Sequence, residues 1–167
     1  MIEIIINEMM AYFQNDVRRI NHALKVYGFA ATLSGMEQVS DEKKTILLYA
    51  AILHDIGIKE AERKYNSTSG RYQEIEGPPI AEDILERSGI PSAAIERVCF
   101  LIGNHHSYGK IDALDFQILV EADFLVNIFE DQLDREAVES IGHKYFKTET
   151  GSTLLHSMYL SSTKTPG

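Results

Sequence analysis

The sequence predicts an all-α protein, and three observations carry that prediction. Apolar residues recur at spacings of three and four along most of the chain, no stretch alternates apolar and polar residues over a useful strand length, and capping residues stand where the periodic stretches begin. Without an internal repeat or a linker-like stretch, the 167 residues are expected to form one compact helical bundle. Its functional residues are expected between positions 16 and 130, and a polar tail at 161–167.

Ile2, Ile5, Ile6, Met9, Met10 and Phe13 give a first amphipathic helix. Asn15 or Asp16 can cap a second, whose stripe is Val17, Ile20, Leu24 and Tyr27, with His22 beside it and Arg18 one turn earlier. Gly28 can stop that helix, or it can continue to Ser34-Gly35. Ser40 opens a third, with Asp41 and Glu42 in the first turn, where negative charge suits the exposed N–H groups. Its apolar run from Ile46 to Leu53 ends on His54-Asp55, and Gly57 is the expected left-handed stop.

Lys59 to Tyr65 reads as a short polar helical turn. Residues 66–79, rich in Ser, Gly and Pro, read as the longest loop, with Pro78 or Pro79 opening the next helix. Ile80, Ile84 and Leu85 form that helix's stripe before Ser88-Gly89 closes it. Pro91 starts another, with Ile95, Val98, Cys99 and Ile102 on one side and His105-His106 at its end. A long helix over 112–130 holds Phe116, Leu119, Val120, Leu125 and Val126, with Asp123 on the side of the first three. Asp134 can cap a stretch with Ala137, Val138 and Ile141, and Tyr145, Phe146, Leu154, Leu155 and Tyr159 suggest a packed C-terminal segment.

Composition narrows the function. Hydrophobic residues at 44% and charged residues at 25% are ordinary for a soluble globular protein. A net charge of −9 and a pI near 5.1 argue against extended nucleic-acid binding and against attraction to an anionic membrane, so a phosphate site must be built locally. The single cysteine, Cys99, permits neither an intramolecular disulfide nor a thiolate zinc cluster, and a reducing cytoplasm fits best. The longest apolar run is too short to span a bilayer, and the N-terminal one carries Glu3 and Glu8 without a signal peptide's basic start. A homo-oligomer is compatible with all of this.

The inward-facing polar residues carry the chemistry. His22, His54, Asp55, Asp123 and one of His105 and His106 come from, or close to, the buried sides of different helices, which is how a helical domain projects ligands to one centre. A buried carboxylate costs several kcal/mol, roughly, unless a cation or strong donors compensate it. Imidazole and carboxylate together suit Mn, Fe, Co, Ni or Zn, and the absence of thiolate disfavours a structural zinc site. Such a ligand set leaves coordination positions open, as in a catalytic site.

The order H…HD…D, with His22 in RRINHAL, His54-Asp55 in ILHDIG and Asp123 in VEADFL, resembles the HD-domain superfamily of metal-dependent phosphohydrolases. The resemblance runs from about His22 to Glu130. It implies an α-helical fold, one or two divalent ions and hydrolysis of phosphate esters, often nucleotides or other small phosphorylated metabolites. Similar members with two ions carry further histidines, one after the long loop and one in a segment like LIGNHHSY. His105 and His106 match the second place, and Glu76 stands at the first, where it could ligate a second ion or orient a water; one ion is the default.

On this reading Asp55 orients or deprotonates the attacking water, and Glu76, His105 and His106 are candidates for the acid that protonates the leaving oxygen. Arg18, Lys59, Arg63 and Arg71 are the candidate phosphate contacts, because Lys59 to Tyr72 is locally basic on an acidic chain. A solvated helix face pairing Glu60 with Lys64 explains the same charges. Tyr65 and Tyr72 could stack on a base. The alternative to an enzyme is a non-catalytic regulatory module that binds a nucleotide or metal on the same scaffold. His143 and His156 fall outside the pattern and are expected at the surface or in packing.

Overall fold

The structure is a computed structural model and describes residues 1–161; the rest of the expected polar tail lies outside the described residues. Its helices are α1 Ile2–Phe13, α2 Val17–Met36, α3 Asp41–Leu53, α4 Ile58–Tyr65, α5 Gly70–Arg87, α6 Ser92–Ile102, α7 Leu114–Glu130, α8 Arg135–Tyr145 and α9 Glu149–Leu155. A 3₁₀ turn, Tyr108–Lys110, precedes α7, and a π turn, His156–Leu160, follows α9. Among the described residues there is no strand, so the all-α expectation holds.

Two helices form the centre. Every residue of α3 from Leu47 to Leu53 is buried, and so is every residue of α7 from Asp115 to Asp123. A helical stretch buried on all sides must be enclosed by other elements. Around α3 pack α1, α2, α6 and α7; α2 also lies along α7, and α5 packs on α4 and α6. Asp16 caps α2 through the Arg19 N–H and Asp134 caps α8 through the Ala137 N–H. Helix α2 passes through Gly28 to Met36. In α1, Met9 is fully buried while Met10 is 41% exposed, so the stripe is narrower than its sequence suggests.

Two expectations at the centre are corrected. Residues 66–79 are not a long loop: α5 starts at Gly70 and continues through Gly77, Pro78 and Pro79. Two adjacent prolines remove two backbone donors and crowd the preceding turn, a local cost that packing against α4 and α6 outweighs. The connection that remains is Asn66–Ser69, and Asn66, at φ 50° and ψ 40°, is the left-handed residue that ends α4. Gly57 does not have that role, because its φ is −73°. It is glycine for space, since a Cβ there would lie 2.5 Å from the Gly77 nitrogen and 2.6 Å from the Gln73 carbonyl oxygen.

The Gly57–Gly77 approach holds the turn after α3 against α5, and that turn carries His54-Asp55. Gly57→Ala is expected to lower stability by about 1–3 kcal/mol through overpacking, because the opposing atoms are backbone and cannot rotate away. A urea melt with an unchanged midpoint would contradict this.

Candidate metal centre

His22 comes from α2, His54 and Asp55 from the turn that ends α3, Asp123 from α7, and His105-His106 from the turn after α6. His22 Nε2 lies 3.1 Å from His54 Nε2, 3.2 Å from Asp123 Oδ1 and 3.6 Å from Asp55 Oδ2. His54 Nε2 is 3.6 Å from both Asp55 Oδ2 and Asp123 Oδ1. The other oxygen of Asp55 faces His105, with Oδ1 3.4 Å from Nε2. Asp55 therefore stands between two groups of ligand atoms.

The tautomers follow from what each Nδ1 touches. His54 Nδ1 is 2.9 Å from the Ala51 carbonyl oxygen and His105 Nδ1 is 2.7 Å from that of Ile102. A carbonyl can only accept, so both Nδ1 atoms carry the proton and both Nε2 lone pairs point inward. His22 Nδ1 is 3.1 Å from Glu130 Oε2, which imposes the same tautomer. The centre thus gathers acceptors: three imidazole lone pairs and the carboxylates of Asp55 and Asp123, with one amide donor, Asn127 Nδ2, at 2.9 Å from Asp123 Oδ1.

Buried carboxylates elsewhere are treated differently. Glu121, fully buried, accepts from Gln117 Nε2, from the Lys147 and Thr148 N–H groups and from Thr148 Oγ1. Asp115 accepts two bonds from Arg97. At the Asp55–Asp123 centre the facing groups are the imidazoles of His22, His54 and His105, an arrangement that a cation would complete. His105 Nε2 makes the point at one atom, being fully enclosed and without a hydrogen-bond partner among the described residues.

The residues fit a divalent ion. Ligand atoms of His22, His54 and Asp123 lie within 4.8 Å of one another, and so do those of Asp55, His105 and His106. His106 Nε2 faces Gln73 Oε1 at 3.4 Å; the amide oxygen accepts, so the proton is on Nε2 and the lone pair on Nδ1. Without an ion, protons take its place. Burial alone would push His22 down, but its hydrogen bond to Asp123, the charges of Asp123 and Asp55 and its bond to Glu130 raise it to about 9. Burial opposes the ionised forms of Asp55 and Asp123, yet the surrounding histidines hold both well below the usual carboxylate range. Burial, then the neighbouring His105, lowers His106 to about 4.

A cavity of about 410 Å³ opens on this centre, lined by Asp16, Arg18, Arg19, His22, Asp55, Ile58, Glu62, Thr68, Asn127 and Glu130. Of the four sequence-predicted phosphate contacts, Arg18 lines it, exposed and without an ion pair among the described residues. Arg19, which sequence reasoning passed over, lines it too but is tied to Asp16 at 2.9 Å and Glu62 at 2.6 Å. Lys59 donates to the Tyr12 carbonyl and lies over its ring, Arg63 forks onto Glu60, and Arg71 is exposed at the start of α5. Glu76 is buried and gives its two oxygens to Lys64 and to Tyr65, which hold it ionised. Tyr65 and Tyr72 stack on each other, 4.1 Å apart. His143 and His156 are exposed.

The sequence reading missed Asn127 and Glu130. Both were accessible to it, since Asp123, Asn127 and Glu130 follow the i, i+4, i+7 rule on one face of α7.

The model of the HD domain family matches residues 19–143. The chain belongs to the HD-domain family. No curated protein matches it. The crystal structure of a predicted HD superfamily hydrolase from an uncultured Thermotogales bacterium matches with a TM-score of 0.67, over 92% of this chain and 82% of that one. At 22% identity that likeness is one of fold. HD domains bind divalent metals, and membership supports a metal-dependent hydrolase at the level of the superfamily. Among the described residues, no helix is long and apolar enough to cross a membrane.

The two states of the centre respond oppositely to pH. In the metal-free HD domain, His22 is raised from 6.5 to about 9, so the stability it contributes is fully present below pH 6.5 and is lost as pH rises through about 9. In the loaded protein the ion replaces the proton, and affinity grows with pH as proton competition fades. Melting temperatures over pH 6.5–9 should therefore fall for metal-free protein and not for protein saturated with Mn²⁺. Parallel curves would contradict the shared site.

Proposed function

We propose that this HD domain is a phosphohydrolase that cleaves a phosphate ester of a nucleotide or another small phosphorylated metabolite. The observation that carries the reading is the acceptor-lined centre opening directly on a cavity with the Arg18 guanidinium, unpaired among the described residues, at its wall. At about 410 Å³ the cavity falls in the range of small-molecule sites. His22, His54, Asp55 and Asp123 would hold the ion. When bound, a divalent ion would offset the charge on phosphoryl oxygens and lower the pKa of a water so that hydroxide is available near neutral pH.

The chain's own groups do the remaining work. Asp55, kept as a carboxylate by the histidines around it, is the acceptor that orients the attacking water. Arg18 is free to bind a phosphoryl oxygen, whereas Arg19 is neutralised by Asp16 and Glu62 and shapes the wall. Glu76 is ionised and His106 is neutral near pH 7, so neither has a proton to give. His105, whose Nε2 lone pair faces Asp55, would join Asp55 and His106 as a ligand to a second ion. A cytoplasmic setting suits the single cysteine, whose thiol burial raises to about 11.

A panel of phosphate monoesters and diesters, assayed for phosphate or alcohol release with added Mn²⁺, Co²⁺ or Ni²⁺, tests the reading. Asp55→Ala is expected to remove activity altogether. Arg18→Ala should lower kcat/KM by about 10–100-fold, the value of a charge-assisted contact, mainly through KM. Metal-dependent turnover that survives in Asp55→Ala would contradict the assignment.

A further inference from the structure

The three inward histidines are held by two different devices. His54 and His105 lie just past the ends of α3 and α6, where the last carbonyls of a helix have no intrahelical partner. Their Nδ1–H groups donate to such carbonyls, those of Ala51 and Ile102, each three residues back. The helix end itself sets those rings. His22 has no such acceptor, because it stands inside α2, whose neighbouring carbonyls are occupied by the helix ladder.

Glu130, the last residue of α7, takes that place. Its Oε2 is 3.1 Å from His22 Nδ1, and its Oε1 is 2.9 Å from Lys25 Nζ, one turn after His22 on α2. The carboxylate is thus anchored from the same helix as the ring it orients. It bonds the ring on the side away from Nε2, which lies beside His54 and Asp123. A carboxylate partner also makes an imidazole a stronger donor to metal than a carbonyl partner does.

We propose that Glu130 is the positioning residue of the metal centre, fixing His22 in the Nδ1–H tautomer with its Nε2 lone pair on the ion. Lys25 sets the carboxylate in turn. This inference rests on the metal centre and not on the choice of substrate. Glu130 also lines the cavity, so activity alone would not separate positioning from substrate contact, and the test reads metal binding.

Co²⁺ is titrated into metal-free parent, Glu130→Ala, Glu130→Gln and Lys25→Met, with affinity from equilibrium dialysis, site geometry from the d–d absorption bands and folding from far-UV circular dichroism. Glu130→Ala should weaken binding about 10–100-fold. Glu130→Gln, which keeps an oxygen to accept from Nδ1 but loses the charge, should recover part of that loss, and Lys25→Met should cost less than Glu130→Ala. Parent affinity and parent bands in Glu130→Ala would overturn the proposal, and so would equal losses in the Ala and Gln variants. If Glu130→Ala does not fold, Glu130→Gln decides: several-fold weaker binding is expected, and parent affinity overturns. A parent that binds no Co²⁺ overturns the metal centre and this inference together, whereas failure to cleave any ester touches only the phosphohydrolase reading.

Discussion

The lone pairs of His22 Nε2 and His54 Nε2 face each other across 3.1 Å, with the carboxylates of Asp55 and Asp123 beside them. Acceptors do not gather in a folded core without something positive between them. The contrast with Glu121 and Asp115 is instructive, because those buried carboxylates are met by N–H, O–H or guanidinium donors from their own surroundings. The Asp55–Asp123 centre has one amide donor and otherwise relies on protons or an ion.

The helical frame serves that convergence. The stretches Leu47–Leu53 of α3 and Asp115–Asp123 of α7 are enclosed on all sides, so a polar residue in the α7 stretch or at the end of the α3 stretch is committed to the interior, and α2, packed on both helices, brings His22 to the same point. The close approach of Gly57 to Gly77 draws the turn bearing His54-Asp55 onto α5. Helix α5 in turn holds the His105-His106 turn: Glu74 accepts from the His106 N–H at 3.0 Å and from Ser107 Oγ at 3.1 Å. A Cβ at Gly70 would meet the His106 ring at 2.5 Å. The prolines tolerated inside α5 therefore belong to a helix that two functional turns depend on.

Much of the centre was legible in the sequence because it obeys a one-dimensional rule. His54 continues the apolar spacing of α3, and Asp123 shares a face with Phe116, Leu119 and Val120, so a helix periodicity placed both inside. What was not legible depends on contacts distant in sequence. Local chemistry reads Gly77-Pro78-Pro79 as a helix start, and only packing on α4 and α6 makes it a helix interior. Arg18, Arg19, Lys59 and Arg63 look alike in sequence; Arg18 stands apart because Glu62, Tyr12 and Glu60 engage the others in three dimensions. Gly57 was correctly singled out, for the wrong reason, because close approach and left-handed backbone both select glycine.

The most direct test is crystallographic: crystals of untagged protein grown with Mn²⁺, with anomalous differences collected near the manganese edge. The account predicts a peak at about 2.0–2.3 Å from His22 Nε2, His54 Nε2 and a carboxylate oxygen each of Asp55 and Asp123, a distance typical of such ligands. An anomalous map with no peak there, in crystals that retain the same side-chain arrangement, would contradict it.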